Sequence, residues 1–205
     1  MTNPNLFDDA GAPDLSALRE QAATCTACDL YERATQTVFG EGPPDARVVL
    51  MGEQPGDQED RAGRPFVGPA GRILDRALEE AGIDREAVYV TNAVKHFKWR
   101  PAGKVRLHQK PNAAQIKACA QWWRSEVDVL DPDVLVLLGA TAAQAVLGPK
   151  IRVTRDRGAF LQTPDFAFDA LVTIHPSAVL RAQGDDRDDT LRGLVHDLRV
   201  VAEHL

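Results

Sequence analysis

The sequence predicts an α/β protein of three layers, α/β/α, built on a mostly parallel four-stranded sheet. Two observations carry this. Four short aliphatic runs (residues 47–52, 88–91, 134–138 and 170–174) are near-continuous rather than alternating, as expected of strands buried on both faces. Helical patterns separate them, and strands alternating with helices give a parallel sheet covered on both sides. With 205 residues, 44% of them hydrophobic, the chain can bury such a core as a single domain.

Each element has a local reason. Residues 1–13 carry Pro4, Gly11 and Pro13 with few large apolar side chains and are expected to form a loose tail, leaving 14–205 as the domain. Asp14 caps a first helix on which Leu15, Leu18 and Ala22 share a face, and that helix runs into Cys25-Thr-Ala-Cys28. Arg47–Gly52 (RVVLMG) is the first strand. A helix over 70–81 stops at Gly82, and Val88–Thr91 is the second strand. Asn112, after Pro111, caps a helix over 112–130; Val134–Leu138 is the third strand, and a helix over 141–147 stops at Gly148. Ala170–Ile174 is the fourth strand and ends at His175-Pro176-Ser177. The last helix, from about Asp188 to His204, lines up Leu191, Leu194, Leu198 and Val201.

Composition excludes several functions. Twenty-four basic against 30 acidic residues, net −6, disfavour a polybasic coat protein for nucleic acid. Three cysteines cannot all pair, no charged leader precedes an apolar run, and no stretch reaches the ~20 apolar residues of a bilayer helix. A soluble cytoplasmic protein in a reducing compartment is expected.

Three constellations stand out. Between Lys95 and Lys117, 23 residues hold seven bases and no acid, interleaved with Phe97, Trp99 and Pro101, a mixture suited to phosphate contact and stacking. The CxxC of Cys25 and Cys28 has only Cys119 as a further thiolate, so a redox pair, a zinc site, a cluster and unligated cysteine all remain open. A fourth ligand would be a histidine, and His96 is best placed for it. The segment after the first strand, GEQPG through GRPFVG, sets Glu53 at a strand mouth and Phe66 between rigid flanks; it is not a P-loop. In α/β sheets, chemistry gathers at such carboxyl strand ends.

Taken in order, GEQPG with GRPFVGPAG, then VTNAVKHFK, then HPS behind an aliphatic strand resemble the motifs of the uracil-DNA glycosylase superfamily, nearest its iron-sulfur family 4. The likeness runs from about Cys25 to Leu205. It departs where ordinary family 4 enzymes have a cysteine after TN-x-V-K and a short Pro-rich loop. Here His96 and a longer basic loop with Lys104-Val-Arg-Leu-His108 resemble the UdgX subgroup, in which a KRRIH-like loop supplies a histidine that becomes joined to DNA. Val105 and Leu107 replace the second and fourth residues of that pattern.

The resemblance implies the superfamily fold and a set of roles. Asn92 would bond the O4 and N3–H edge of uracil and reject cytosine, whose donor pattern is reversed. His175 would donate to O2 and steady the departing anion, Phe66 would stack on the flipped base, and the Gln54 amide would add a donor. His108 would attack C1′, with Glu53 orienting it, accepting its proton and favouring the positive sugar. Lys98, Arg100, Lys104, Arg106 and Lys110 would contact DNA, and Pro176 and Ser177 would press into it. Cys25, Cys28, His96 and Cys119 would hold a structural [4Fe-4S] cluster.

The expected function is uracil excision from DNA, single-stranded by preference, by a monomer that ends covalently attached to its product. The competing expectations are a conventional glycosylase with turnover, and a noncatalytic binder of uracil-containing or abasic DNA or a cluster-based sensor.

Overall fold

The computed structural model describes residues 14–163 and 165–205; the expected tail over 1–13 lies outside them. In chain order the elements are α1 (Leu15–Ala23), a 3-10 turn (Asp29–Glu32), β1 (Val48–Gly52), α2 (Asp57–Ala62), α3 (Pro69–Ala81), a second 3-10 turn (Arg85–Ala87), β2 (Val88–Asn92), β3 (Trp99–Ala102), β4 (Val105–His108), α4 (Ala113–Leu130), β5 (Val134–Leu138), α5 (Ala140–Leu147), α6 (Val153–Asp156), β6 (Phe160–Gln162), β7 (Asp169–Thr173), α7 (Ser177–Arg181) and α8 (Asp185–Ala202). The predicted caps are present. Asp14 accepts from Ala17 N at 2.7 Å, and Asn112 and Gln115 form a reciprocal capping box at the start of α4.

The main sheet has five strands, ordered β2-β1-β5-β7-β6. The four expected strands are its parallel members, and β6 adds an antiparallel edge on β7. β6 is missing from the sequence reading because it is three residues long and only partly buried, too short for a periodic signal. Alternation along the strands divides the core in two. Val48, Leu50, Val134, Val136 and Leu138 face α3 and α8, while Val49, Met51, Leu135 and Leu137 face α4 and α5. α3 and α8 pack against each other, Leu74 and Leu78 of one beside Leu194 and Leu198 of the other.

Strand order reverses between β1 and β5: the chain steps from β1 to β2 on one side and continues through β5 and β7 on the other. That switch point opens a crevice at the carboxyl ends of the strands. The long loop expected after the second strand is instead a hairpin. β3 and β4 pair only with each other, joined by Gly103-Lys104 with Gly103 at φ +60°, as a two-residue turn of type II′ requires. Among the described residues no helix is long and apolar enough to cross a membrane.

Candidate active site

A cavity of about 760 Å³ occupies the switch-point crevice and is lined by Glu53, Gln54, Phe66, Asn92, His108 and His175, among others. Six residues expected to act on one nucleotide, drawn from positions 53 to 175, are thus gathered in one place.

The floor is built by close backbone approach. A Cβ on Gly52 would fall 2.5 Å from Asn92 Oδ1 and 2.8 Å from Phe66 Cζ, so only glycine lets the β1 end pass beneath both side chains. Phe66 is held at φ +55°, and Gly71 of α3 packs so tightly on it that a Cβ would lie 1.6 Å from Phe66 O. Glu59 ties this loop together, accepting from Gly56 N at 3.1 Å and Gly68 N at 2.7 Å. Phe66 stacks beside His175 with ring centroids 6.2 Å apart.

His175 has one defined tautomer. Its Nδ1 accepts from Ser177 N at 3.1 Å and stands 2.8 Å from Ser177 Oγ, which in turn accepts from Arg181. The ring proton is therefore on Nε2. Burial, reinforced by the charges of Arg181 and His108, pushes the pKa down to about 4, so the imidazole is a neutral donor.

His108 enters at the end of β4. Its Nε2 lies 3.6 Å from Glu53 Oε1 and 2.9 Å from Gln54 Nε2. Gln54 Oε1 accepts from Lys98 N, and Gln54 Nε2 also reaches Lys98 O and Gln109 O, so this carboxamide clasps both roots of the hairpin. An amide nitrogen only donates, so His108 Nε2 receives it with its lone pair and the ring proton is on Nδ1. Burial lowers the His108 pKa, outweighing the opposing charge of Glu53, and Arg181 adds to the lowering. The other Glu53 oxygen, Oε2, accepts from Thr141 at the start of α5.

Other expected residues are placed differently. Arg106 does not present its charge outward: its guanidinium turns inward, pairing with Asp57 and, at 2.6 Å, with Asp60, and lies over the rings of Phe97 and Trp99. Pro176 is buried at the start of α7, while Leu180, further along the same short helix, is exposed and lines the cavity. Ser177 sets the His175 tautomer. Arg100, Lys104 and Lys110 are exposed and Lys98 is half-buried. Lys95 is fully buried, its Nζ donating to Glu126 Oε2 (2.5 Å), Thr91 Oγ1 (2.5 Å) and Asn92 O (3.0 Å).

The cysteines are free thiols. Cys25 follows α1, Cys28 begins the first 3-10 turn, and Cys119 is buried on α4, accepting from Lys95 N at 3.1 Å. Burial raises the Cys119 thiol to about 12, with the charge of Lys95 opposing it and Cys28 and Cys25 among its electrostatic neighbours. His96 gives the sharper test. Thr37 Oγ1 spends its proton on Ala22 O, so His96 Nε2 must donate to Thr37. His96 Nδ1 then carries a lone pair, is buried and has no partner, the state of a ligand atom. Among the described residues no three such side chains converge as they would on one ion. Three cysteines and the free lone pair of His96 Nδ1 are the donor types that iron-sulfur clusters take.

Sequence reasoning missed Glu59, Thr141, Leu180 and the Lys95–Glu126 pair. Glu59 had a signal, an acid three residues into a helix beginning at a glycine. Thr141 had one too, since it follows a strand end at the same edge as the other loops.

Residues 39–199 match the family model of the Uracil DNA glycosylase superfamily. The chain is similar to the Type-4 uracil-DNA glycosylase of Thermotoga maritima, 38% identical over 182 residues that cover 88% of each chain. It is also similar to the enzymes of that name from Pyrobaculum aerophilum (34% identical, covering 82% of this chain and 85% of the relative) and Sulfurisphaera tokodaii (31%, covering 81% and 76%).

Proposed function

Because the chain belongs to the uracil-DNA glycosylase superfamily, we propose that it excises uracil from DNA and that His108 then bonds to C1′ of the sugar and remains attached. The observation that carries this is the placement of His108 Nε2, lone pair inward, 3.6 Å from Glu53 in the same cavity as His175, Asn92 and Phe66.

A uracil rotated out of its strand stacks on Phe66. Asn92, whose carboxamide bonds no described side chain or backbone group, meets the O4 and N3–H edge. The Gln54 backbone N–H, likewise without an acceptor among the described residues, adds a donor. As the N-glycosidic bond breaks, its electron pair goes to uracil N1, and the charge spreading to O2 is met by His175 Nε2–H. A neutral imidazole donor suits this better than an imidazolium, which would lose its proton to the leaving base. The sugar becomes oxocarbenium-like beside the Glu53 carboxylate. His108 Nε2 then forms its bond to C1′. The ring becomes an N-alkyl imidazolium whose charge Glu53 balances and whose Nδ1 proton is free to leave. An imidazole so alkylated is a poor leaving group, so each molecule acts once.

Cys25, Cys28, His96 and Cys119 would hold a [4Fe-4S] cluster, which would tie α1, the hairpin root and α4 together. Single-stranded DNA is the favoured substrate and the protein works as a monomer.

The test is the intact mass of the protein after incubation with uracil-containing single-stranded DNA. A mass increased by the DNA minus uracil is expected. Abasic product at many turnovers with unchanged protein mass means a conventional glycosylase, and neither product means a binder or sensor.

A further inference from the structure

Five large hydrophobic residues are exposed among the described residues: Tyr31, Val105, Leu107, Leu180 and Leu205. Leu180, on α7, lines the cavity, while Val105 and Leu107 stand on the hairpin whose β4 ends in His108. Val105, the first residue of β4, is 62% exposed and buries little of its apolar surface against the fold.

The hairpin register explains how it faces. Trp99 pairs with His108 and Pro101 with Arg106, so these four side chains share one face. Three of the four have partners. Trp99 Nε1 donates to Arg33 O, Arg106 is fixed by Asp57 and Asp60, and His108 enters the cavity. The opposite face carries the pairs Arg100 with Leu107 and Ala102 with Val105, with Lys104 at the turn. Neither Arg100 nor Lys104 forms an ion pair with any described residue. An apolar centre edged by unpaired cations matches a nucleic-acid strand, with bases or sugars on the aliphatic surface and phosphates on the rim. The charge argues the same way: in a chain of net −6, these cations sit within 23 residues that hold no acid.

We propose that this outward face is a second DNA-holding surface, on which Val105 and Leu107 seat unpaired bases next to the extruded nucleotide while Arg100 and Lys104 hold their phosphates. It deepens, and rests on, the uracil-DNA reading. Val105 and Leu107 share a four-residue strand with His108 but lie on its other face, so a DNA strand leaving the cavity over the edge of the ribbon meets them within about 10 Å. Bases stacked in a duplex are covered by their neighbours; only an unpaired strand offers them to an aliphatic surface. The face therefore supplies a physical reason for preferring single strands.

The experiment uses the full chain carrying both Val105→Ser and Leu107→Ser, at exposed positions where the fold does not depend on the side chain. Uracil release is followed in single-turnover mode over a range of protein concentrations, on a short uracil-containing single strand and on the same strand in a duplex. For the single strand the half-saturating concentration is expected to rise about tenfold with the maximal rate within about twofold, and for the duplex to change less than about twofold. Equal shifts on both substrates, or none on either, overturn the proposal. So does a wild-type protein that elutes as a dimer when the double variant elutes as a monomer, which assigns the face to a second copy. A wild-type protein that releases no uracil from either substrate defeats the activity reading itself, a result seen before any variant is made.

Discussion

The Gln54 carboxamide meets the His108 imidazole nitrogen to nitrogen, Nε2 to Nε2 at 2.9 Å. This contact fixes which His108 nitrogen bears the lone pair, and it also occupies that lone pair. For His108→Ala, the slower-migrating protein–DNA band on a denaturing gel is expected to vanish while uracil release continues. A band of wild-type yield in this variant would falsify the covalent assignment.

Acid should suppress attachment. His108 has a pKa lowered from the ordinary imidazole value of 6.5, so its nucleophilic neutral form predominates at neutral pH and is lost only further on the acid side than for a free imidazole. Attachment rate should be flat above neutrality and decline on the acid side. His175 gives a matching stability effect. Folded it titrates near 4 and unfolded near 6.5, so between those values the unfolded chain binds more protons and stability drops as pH falls. His175→Gln should lose less Tm than wild type between pH 7 and pH 5; equal losses would mean that this ring does not carry the effect.

Arg106 is a latch. Removing its guanidinium leaves the buried Asp60 carboxylate with only Thr35 as a neutral donor and frees the hairpin from α2. Arg106→Ala should slow attachment about tenfold or more and expose residues 99–108 to limited proteolysis, with uracil release much less affected. An unaltered cleavage pattern would show that the hairpin stands without it.

For His96→Ala, iron and sulfide per chain are expected to fall, and His96→Cys to retain them, since a thiolate offers the same coordination. Full iron content in the alanine variant would point to another fourth ligand.

Lys95 and Glu126 form an ion pair with both side chains fully buried. Lys95→Met strands Glu126 and should cost about 3–5 kcal/mol in urea unfolding, part of which Glu126→Gln in the same chain should restore. Additive losses in the double variant would mean that the two side chains are energetically independent.

The sheet was legible because buried parallel strands write themselves as unbroken aliphatic runs: 48–52, 88–92, 134–138 and 169–173 all lie within a residue or so of their expected bounds. The cavity residues were legible because strand ends gather chemistry, which is why Glu53, Asn92 and His175 meet. Charge was less informative. Seven bases in one segment read alike in sequence, yet Lys95 is sealed in the core, Arg106 is paired inward and Arg100 and Lys104 face solvent. Those fates are decided by partners on α2 and α4, far away in the chain. The hairpin escaped notice because Pro101 and Gly103 disguise its strands, while only a two-residue turn with positive φ at Gly103 closes it.

Since β3 and β4 form a ribbon with no ladder to the five-stranded sheet, that ribbon can be lengthened, shortened or exchanged while the scaffold behind it keeps every pairing. His108 is in this sense carried on an attachment rather than on the foundation. If His108 bonds to DNA as proposed, moving residues 99–108, with their Asp57 and Asp60 moorings, onto a relative should carry the attachment with them.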